Sequence, residues 1–357
     1  MNNLVKYGAN ERFFAEAELY PDLLLARVLS QHRNLYKIIT EHGEAFAEIS
    51  GKLRYETHSQ SDYPTVGDFV MSSHNENLSG HAIIHHVLNR KSVFERTAVG
   101  ADNQIQVVAA NIDIVFICMS LNKDYNLSRL ERYLSVAWSS QALPVIVLTK
   151  ADLCEDLSHI VSEISTIAFD VDIVTTSRFD QVSHSKLRSY LKQGVTASFI
   201  GSSGVGKSTL INQLIGKELL NTSTTGHDDK GRHTTTHREL LLLPQGGIVI
   251  DTPGMREIGA LSADVSKPFA DIETLISQCR FRDCTHTTEP GCSIREALET
   301  GTLDERRLAN YQKLKRETRY HGLSSKQIET EKLNNMFKNI GGMKKARDYL
   351  RKNNKRR

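Results

Sequence analysis

Cysteine is scarce in this chain, with five in 357 residues, and there are one tryptophan and seven prolines. That usage does not describe a disulfide-stapled secreted domain. Cys118 lies in the apolar run IDIVFICMS and Cys154 follows TKAD, and both read as small hydrophobes. No run approaches the ~20 apolar residues of a membrane-spanning helix. The opening segment, MNNLVKYGANERFFAEAELY, lacks the charged start and apolar middle of a secretory signal. A cytoplasmic, monomeric protein with no membrane partner is therefore expected. Low-complexity segments and internal repeats are also missing, and 39% hydrophobic with 24% charged residues is the balance of a globular chain. At roughly 100–200 residues per domain, the length predicts two or three domains.

The net charge of +3 hides an asymmetry. Residues 304–357 carry 17 Lys and Arg against 6 Asp and Glu, which leaves the first 303 residues with 28 against 36. A mildly acidic body with a basic tail points to a polyanionic partner such as RNA, or else to a solvated helical tail. Tyr311, Tyr320 and Tyr349 interleave with the tail's charges, where they either stack on exposed bases or pack internally.

After an irregular leader (residues 1–20), short strand-like runs fill residues 21–100: LLLARVLS, LYKIITE, EAFAEIS, PTVGDFVMSS and HAIIHHVL. Turn residues separate them, and five short strands predict an OB-like barrel. The histidines here (His74, His81, His85, His86) read as barrel-surface residues, since they lack thiolate partners. Over residues 101–262 apolar strands (IDIVFICMS, PVIVLTK, VDIVTTS, ASFIGSS, ELLLLP, GGIVIDTPG) alternate with helical patterns. That alternation predicts a mainly parallel α/β sheet with helices on both faces. A Cys/His segment (263–303) and a basic helical extension (304–357) complete the chain.

Gly201–Thr209, GSSGVGKST, fits G-x-x-x-x-G-K-[ST], with strand ASFI before it and helix STLINQLIG after it. The loop Gly201, Ser202, Ser203, Gly204, Val205, Gly206 would turn its amides on phosphate oxygens at a helix N-terminus. Lys207 would reach the β- and γ-phosphates, and Ser208, ahead of Thr209, would hold Mg²⁺. Thr149-Lys150-Ala151-Asp152 ends the strand PVIVL. Its carboxylate suits the N1–H and 2-amino edge of guanine, and adenine would leave that buried acceptor unsatisfied. Thr175-Thr176 stands where a loop contacting guanine O6 belongs. Asp251-Thr252-Pro253-Gly254 supplies D-x-x-G, whose Asp approaches Mg²⁺ through water and whose Gly senses the γ-phosphate. In the intervening GRHTTTHREL, Thr235, or failing it Thr234, would ligate Mg²⁺. The guanine motif precedes the phosphate loop by about fifty residues, the reverse of the ordinary order. Met255 follows D-x-x-G where many small GTPases place a water-orienting Gln. His233 is the candidate to replace it, with Arg232 as a transition-state cation instead.

Cys279-x4-Cys284-x-His286-x5-Cys292 offers three thiolates and one imidazole, the donor set of a closed structural zinc site.

Together these pieces resemble the circularly permuted, ribosome-associated GTPases RsgA/YjeQ. PTVGD (Pro64–Asp68), TKAD, GSSGVGKST, GRHTT, DTPG and the Cys/His cluster occur in that family's order over about residues 20–300. The resemblance implies an OB domain, a permuted GTPase domain and a zinc domain. It also implies GTP hydrolysis stimulated by the small ribosomal subunit during its late maturation. The Thr-Thr pair departs from the Ser-Ala or Ser-Ser of many relatives. A rival reading is a nucleotide-gated RNA-binding module in which hydrolysis is incidental. Permutation would route the chain from D-x-x-G into the zinc domain, so that a γ-phosphate-dependent shift could move an RNA-facing domain.

Overall fold

A computed structural model describes residues 3–73, 80–97, 105–122, 124–177, 181–216, 239–251 and 265–319, together with 327 and 330. The leader is helical rather than irregular. Helices α1 (Asn3–Lys6) and α2 (Glu11–Ala17) bury Leu4 and Phe13, and Phe13 stacks on Phe69 at 4.0 Å. Short amphipathic helices of this kind are decided by the surface they dock on, which sequence periodicity over seven residues does not reveal.

Five strands then close a barrel: β1 (Leu24–His32), β2 (Leu35–Thr40), β3 (Gly43–Ile49), β4 (Phe69–Ser72) and β5 (Ala82–Val87). β1 pairs with both β2 and β4, β3 runs parallel to β5, and β4 and β5 complete the ring. The connector from β3 to β4 carries α3 (Gly51–Glu56), begun by Ser50, whose Oγ accepts from the Leu53 amide at 3.0 Å. Alternate residues fill the barrel with Ala26, Val28, Tyr36, Ile38, Val70 and Ile84. This is the expected OB-like architecture.

A hairpin that sequence patterning missed follows: β6 (Val93–Thr97) pairs antiparallel with β7 (Ile105–Ala110). It straddles the boundary expected at residue 100. In the PTVGD segment, Asp68 is fully buried and receives Arg90 Nε and Nη2, both at 2.8 Å. A Cβ at Gly67 would come within 2.2 Å of the Ala110 carbonyl oxygen, so only glycine lets β7 approach there.

The second layer is a doubly wound sheet. Its elements are β8 (Ile114–Ser120), α4 (Leu127–Ser139), β9 (Leu143–Thr149), α5 (Leu157–Ser165), β10 (Asp172–Thr175), α6 (Gln181–Tyr190), β11 (Thr196–Ile200), α7 (Lys207–Ile215), β12 (Glu239–Leu242) and β13 (Ile248–Asp251). The spatial order is β10-β9-β8-β11-β13-β12, parallel except for the edge strand β12. Every residue of β8 and β11 is buried, as covered faces on both sides require. The strand leading into the phosphate loop is central, yet it is the fourth of the six in chain order. One pairing, Ser30 with Glu239, joins β12 to β1 and makes barrel and sheet a single eleven-stranded surface.

Buried Arg27 of β1 holds this junction. It donates to Gly67 O at 3.2 Å, Asn111 O at 3.3 Å, Thr196 Oγ1 at 3.0 Å and the Tyr7 carbonyl, so four segments meet on one guanidinium. Burial pushes its pKa down to about 10.

Helices α8 (Ala270–Ser277), α9 (Ser293–Glu299) and α10 (Glu305–Arg319) pack around Phe269, Ile272, Ile294 and Leu314. The basic extension thus begins as part of a core. Tyr311 is buried, donates to Glu273 Oε1 at 2.7 Å and lies 5.5 Å from Phe269, so it does not stack on bases. Glu131 of α4, fully buried, receives Arg307 Nη1 at 2.7 Å and Arg306 Nη1 at 3.2 Å, and Arg307 also grips Asp271. Removing one partner of such a buried pair costs about 3–5 kcal/mol. No helix among the described residues is long and apolar enough to cross a membrane.

Candidate functional site

Two ligand-directed sites emerge, one at the sheet's C-terminal edge and one between α8 and α9. At the first, β11 delivers Gly201 at φ +145°, where a Cβ would lie 2.4 Å from the Cys118 carbonyl oxygen of β8. Gly204 and Gly206 take φ of +72° and +98°, and the chain then enters α7 at Lys207. Gly206 has no side chain to cap that helix, which leaves its first-turn amides for an anion. Lys207 Nζ donates to the carbonyls of Gly201 and Ser202, each at 2.6 Å, and so lies folded across the loop. Ser203 is exposed, Val205 is buried beneath the loop, and Ser208 and Thr209 sit half-buried on the first turn of α7. Asp251 ends β13 beside them. Burial raises its pKa, and the charge of Lys207 opposes that rise.

The expected guanine motif adjoins this loop. Thr149 ends β9, and its Oγ1 donates to the Val205 carbonyl at 2.6 Å, which fastens the two loops together. Lys150 adopts a left-handed φ of +56° and starts a single tight turn, Ala151–Leu153, that leaves Asp152 exposed. The Ala151 amide donates to Thr176 O at 3.1 Å and the Thr176 amide to Leu148 O at 2.7 Å. The Thr175–Thr176 loop therefore laces to the Thr149–Asp152 loop at the ends of adjacent parallel strands. Such a crevice beyond the carboxyl ends of the strands is where open α/β sheets take ligands. His233, Thr235, Gly254, Arg232, Thr234 and Met255 lie outside the described residues. Sequence reasoning missed Arg129, whose Nη1 lies 2.6 Å from Ser202 Oγ; in the sequence it reads as one more solvated helix charge.

At the second site, the ligand atoms of Cys279, Cys284, His286 and Cys292 all lie within 4.8 Å of one another. His286 Nδ1 is 3.6 Å from Cys279 Sγ and 3.5 Å from Cys292 Sγ, and those two sulfurs are 4.0 Å apart. A tetrahedron with Zn–S of ~2.3 Å and Zn–N of ~2.0–2.1 Å places S···N near ~3.6 Å and S···S near ~3.8 Å. The donor set and spacing fit a zinc-sized ion. Burial pushes the Cys279 thiol up, but the Ser293 and Ile294 amides at the start of α9 donate to its sulfur and bring it net below the usual range. Glu289 braces the intervening loop, accepting from the amides of Thr285, Thr287 and Thr288 at 2.9–3.1 Å. The barrel histidines form no comparable cluster among the described residues. His81 pairs with Glu48 at 2.9 Å and His86 stacks on Tyr20 at 4.4 Å.

Residues 87–261 match the family model described as RsgA GTPase. The chain is 48% identical over 346 residues to small ribosomal subunit biogenesis GTPase RsgA 2 of Lactiplantibacillus plantarum, covering 97% of each chain. It is 43% identical to RsgA 1 of Listeria innocua over 99% of each chain. Among solved structures, YjeQ from Thermotoga maritima superposes with a TM-score of 0.61 at 28% identity, covering 83% of this chain and 98% of that one. YloQ, described as a circularly permuted GTPase, superposes with a TM-score of 0.58 at 22% identity over 83% and 95% of the chains, a likeness of fold.

Proposed function

The chain belongs to the RsgA GTPase family, and on that premise we propose that it hydrolyses GTP while bound to the small ribosomal subunit, whose late maturation it assists. The observation that carries this reading is the lacing of a phosphate loop to a guanine-type loop through Thr149 and Val205. Base recognition and phosphate recognition then form one crevice.

In this reading Asp152 accepts from the guanine edge, Lys150 covers the ring, and Thr149 and the Thr175–Thr176 loop hold that end in place. The amides of Gly201 to Gly206 and the ammonium of Lys207 bind the phosphates. Ser208 and Thr235 would hold Mg²⁺, with Asp251 behind them and Gly254 reporting the γ-phosphate. The ion, when bound, neutralises charge developing on the phosphate oxygens. His233 positions the attacking water in place of the glutamine that Met255 replaces. Cys279, Cys284, His286 and Cys292 would hold one structural zinc per chain.

The proposed division of labour is a barrel (21–100), a permuted GTPase unit (101–262), a zinc unit (263–303) and a basic extension (304–357). Barrel, zinc unit and extension grip rRNA, and the protein works as a cytoplasmic monomer. Arg306 and Arg307 already serve buried acidic partners, so phosphate contacts fall to basic residues farther along the extension.

The test is GTP turnover with and without isolated small subunits. Stimulated turnover that falls in His233→Ala with GTP affinity unchanged supports the reading, since that is the signature of an interaction made only in the transition state. Turnover indifferent to subunits would favour a nucleotide-gated binding module instead.

A further inference from the structure

We propose that Arg129, on the first turn of α4, is a positioning residue for the phosphate loop, holding Ser202 so that the Ser202 carbonyl sets the ammonium of Lys207. The inference rests on the GTPase reading of this site and adds a residue outside its motifs.

Arg129 Nη1 donates to Ser202 Oγ at 2.6 Å and to Asp124 Oδ1 at 2.7 Å. Lys207 Nζ donates to the carbonyl of the same Ser202 at 2.6 Å. Ser202 is thus gripped twice, by a guanidinium at its side chain and by the loop lysine at its backbone. A shift of Ser202 moves one of the two carbonyls that aim Lys207 at the phosphates. Charge-assisted hydrogen bonds are the stronger class, and a loop pinned by one is held more closely than a loop facing solvent.

Arg129 and the start of α4 are themselves held from three directions. Asn126 caps α4, its Oδ1 accepting the Arg129 amide at 2.9 Å. Asp124 has its other carboxylate oxygen buried with no partner among the described residues, so its charge is committed to Arg129. On either side of Arg129 in the chain, Ser128 and Glu131 bind Arg306, Arg307 and Asn310 of α10, which fixes α4 against the C-terminal helices. Arg129 therefore reaches the loop from a rigid base. Its ion pair with Asp124 lowers its net field at the nucleotide, so its effect runs through Ser202 geometry rather than through added positive charge.

The experiment measures GTP and ITP affinity and single-turnover hydrolysis for the full-length wild type, Arg129→Ala, Arg129→Lys, Ser202→Ala and the double variant Arg129→Ala/Ser202→Ala. ITP lacks the 2-amino group, so the GTP-to-ITP ratio reports the guanine end alone. Arg129→Ala is expected to lower kcat/KM by about tenfold, below the ~10²-fold that a 1 Å misplacement can cost. The GTP-to-ITP ratio should stay unchanged. Arg129→Lys should recover part of the loss, and the double variant should lose no more than the worse single one, as coupled residues do. Unchanged kinetics in Arg129→Ala, additive losses in the double variant, or an equal collapse of the GTP-to-ITP ratio would each overturn the proposal. A wild type that fails to bind GTP would instead overturn the GTPase reading.

Discussion

In the proposed reading the Gly201–Thr209 loop and the Cys/His cluster each hold a charged ligand, but they are built from different material. The loop works through its backbone. Its donors are amides and one lysine, and its shape depends on glycines at φ +145°, +72° and +98°. The cluster works through side chains, three sulfurs and an imidazole whose spacing already suits a tetrahedral ion. A backbone site stands on the sheet beneath it, so losing one side chain can shift it without unfolding it. A metal site shares its ligand with the fold around it, so one lost ligand affects local structure as well as binding.

The sharpest break in that comparison is Cys292→Ser. Apparent binding energies of ~10–16 kcal/mol for structural zinc in small domains set the scale, reduced here because Phe269, Ile272 and Leu314 supply a core of their own. Zinc content by elemental analysis should fall from one per chain to near zero. Proteolysis should begin within residues 265–319, while GTP affinity should change little. Intact zinc content in the variant would remove Cys292 from the ligand set.

Lys207→Ala comes next. Losing one preorganised donor to developing charge costs about 10²–10³-fold in turnover. Thermal stability should hold, because Lys207 contributes to the loop and not to the core. A variant that melts early would erase the contrast between backbone and side-chain sites.

Asp152→Asn is expected to cost about 10–10²-fold in GTP affinity, the worth of one hydrogen bond to a charged group. It should also admit xanthosine triphosphate, whose C2 carbonyl accepts from the new amide. Unchanged GTP affinity by titration would place guanine elsewhere.

The smallest effect belongs to Glu289→Gln. Hydrogen bonds from the Thr285 hydroxyl and amide hold the Glu289 carboxyl well below the usual glutamate range. A carboxyl depressed in the folded state contributes stability above its unfolded pKa of ~4.3 and loses it as pH falls toward the folded value. At neutral pH the variant should release zinc to a chelator somewhat faster, with GTP turnover untouched. Equal release rates would limit Glu289 to shaping the apo loop.

Much of this was legible in the sequence for physical reasons. β8, β9 and β11 read as strands because faces covered on both sides demand unbroken apolar runs. The two proposed ligand sites stand out by spacing, since Gly201, Gly206 and Lys207 on one side, and Cys279 to Cys292 on the other, are brought together by local geometry. What escaped depends on distant chain. Phe13 is buried because Phe69 and other residues of the barrel core lie opposite, and the β6–β7 hairpin offers little alternation on its own. Arginine is least legible of all. Arg27, Arg129 and Arg307 look like solvated charges until the carbonyls, hydroxyls and carboxylates of remote segments surround them.

The place of β11 in the sheet bears on how the protein is made. Its neighbour β8 is complete at Ser120, but the strand that covers that edge is not finished until Ile200. At roughly 5–20 residues per second, synthesis of those 80 residues takes about 4–16 s. Once β9 is complete at Thr149, and until Ile200 is made, the nascent chain holds β8 paired with β9 on one side only. Seven apolar-rich residues then present unpaired amides and carbonyls to whatever extended strand is nearby. An ordinary order, with the phosphate-loop strand made first, would put the sheet's centre in place before its flanks. Here the flank waits for the centre, and the burden of keeping that edge from the wrong partner falls on the tunnel exit and the chaperones stationed there.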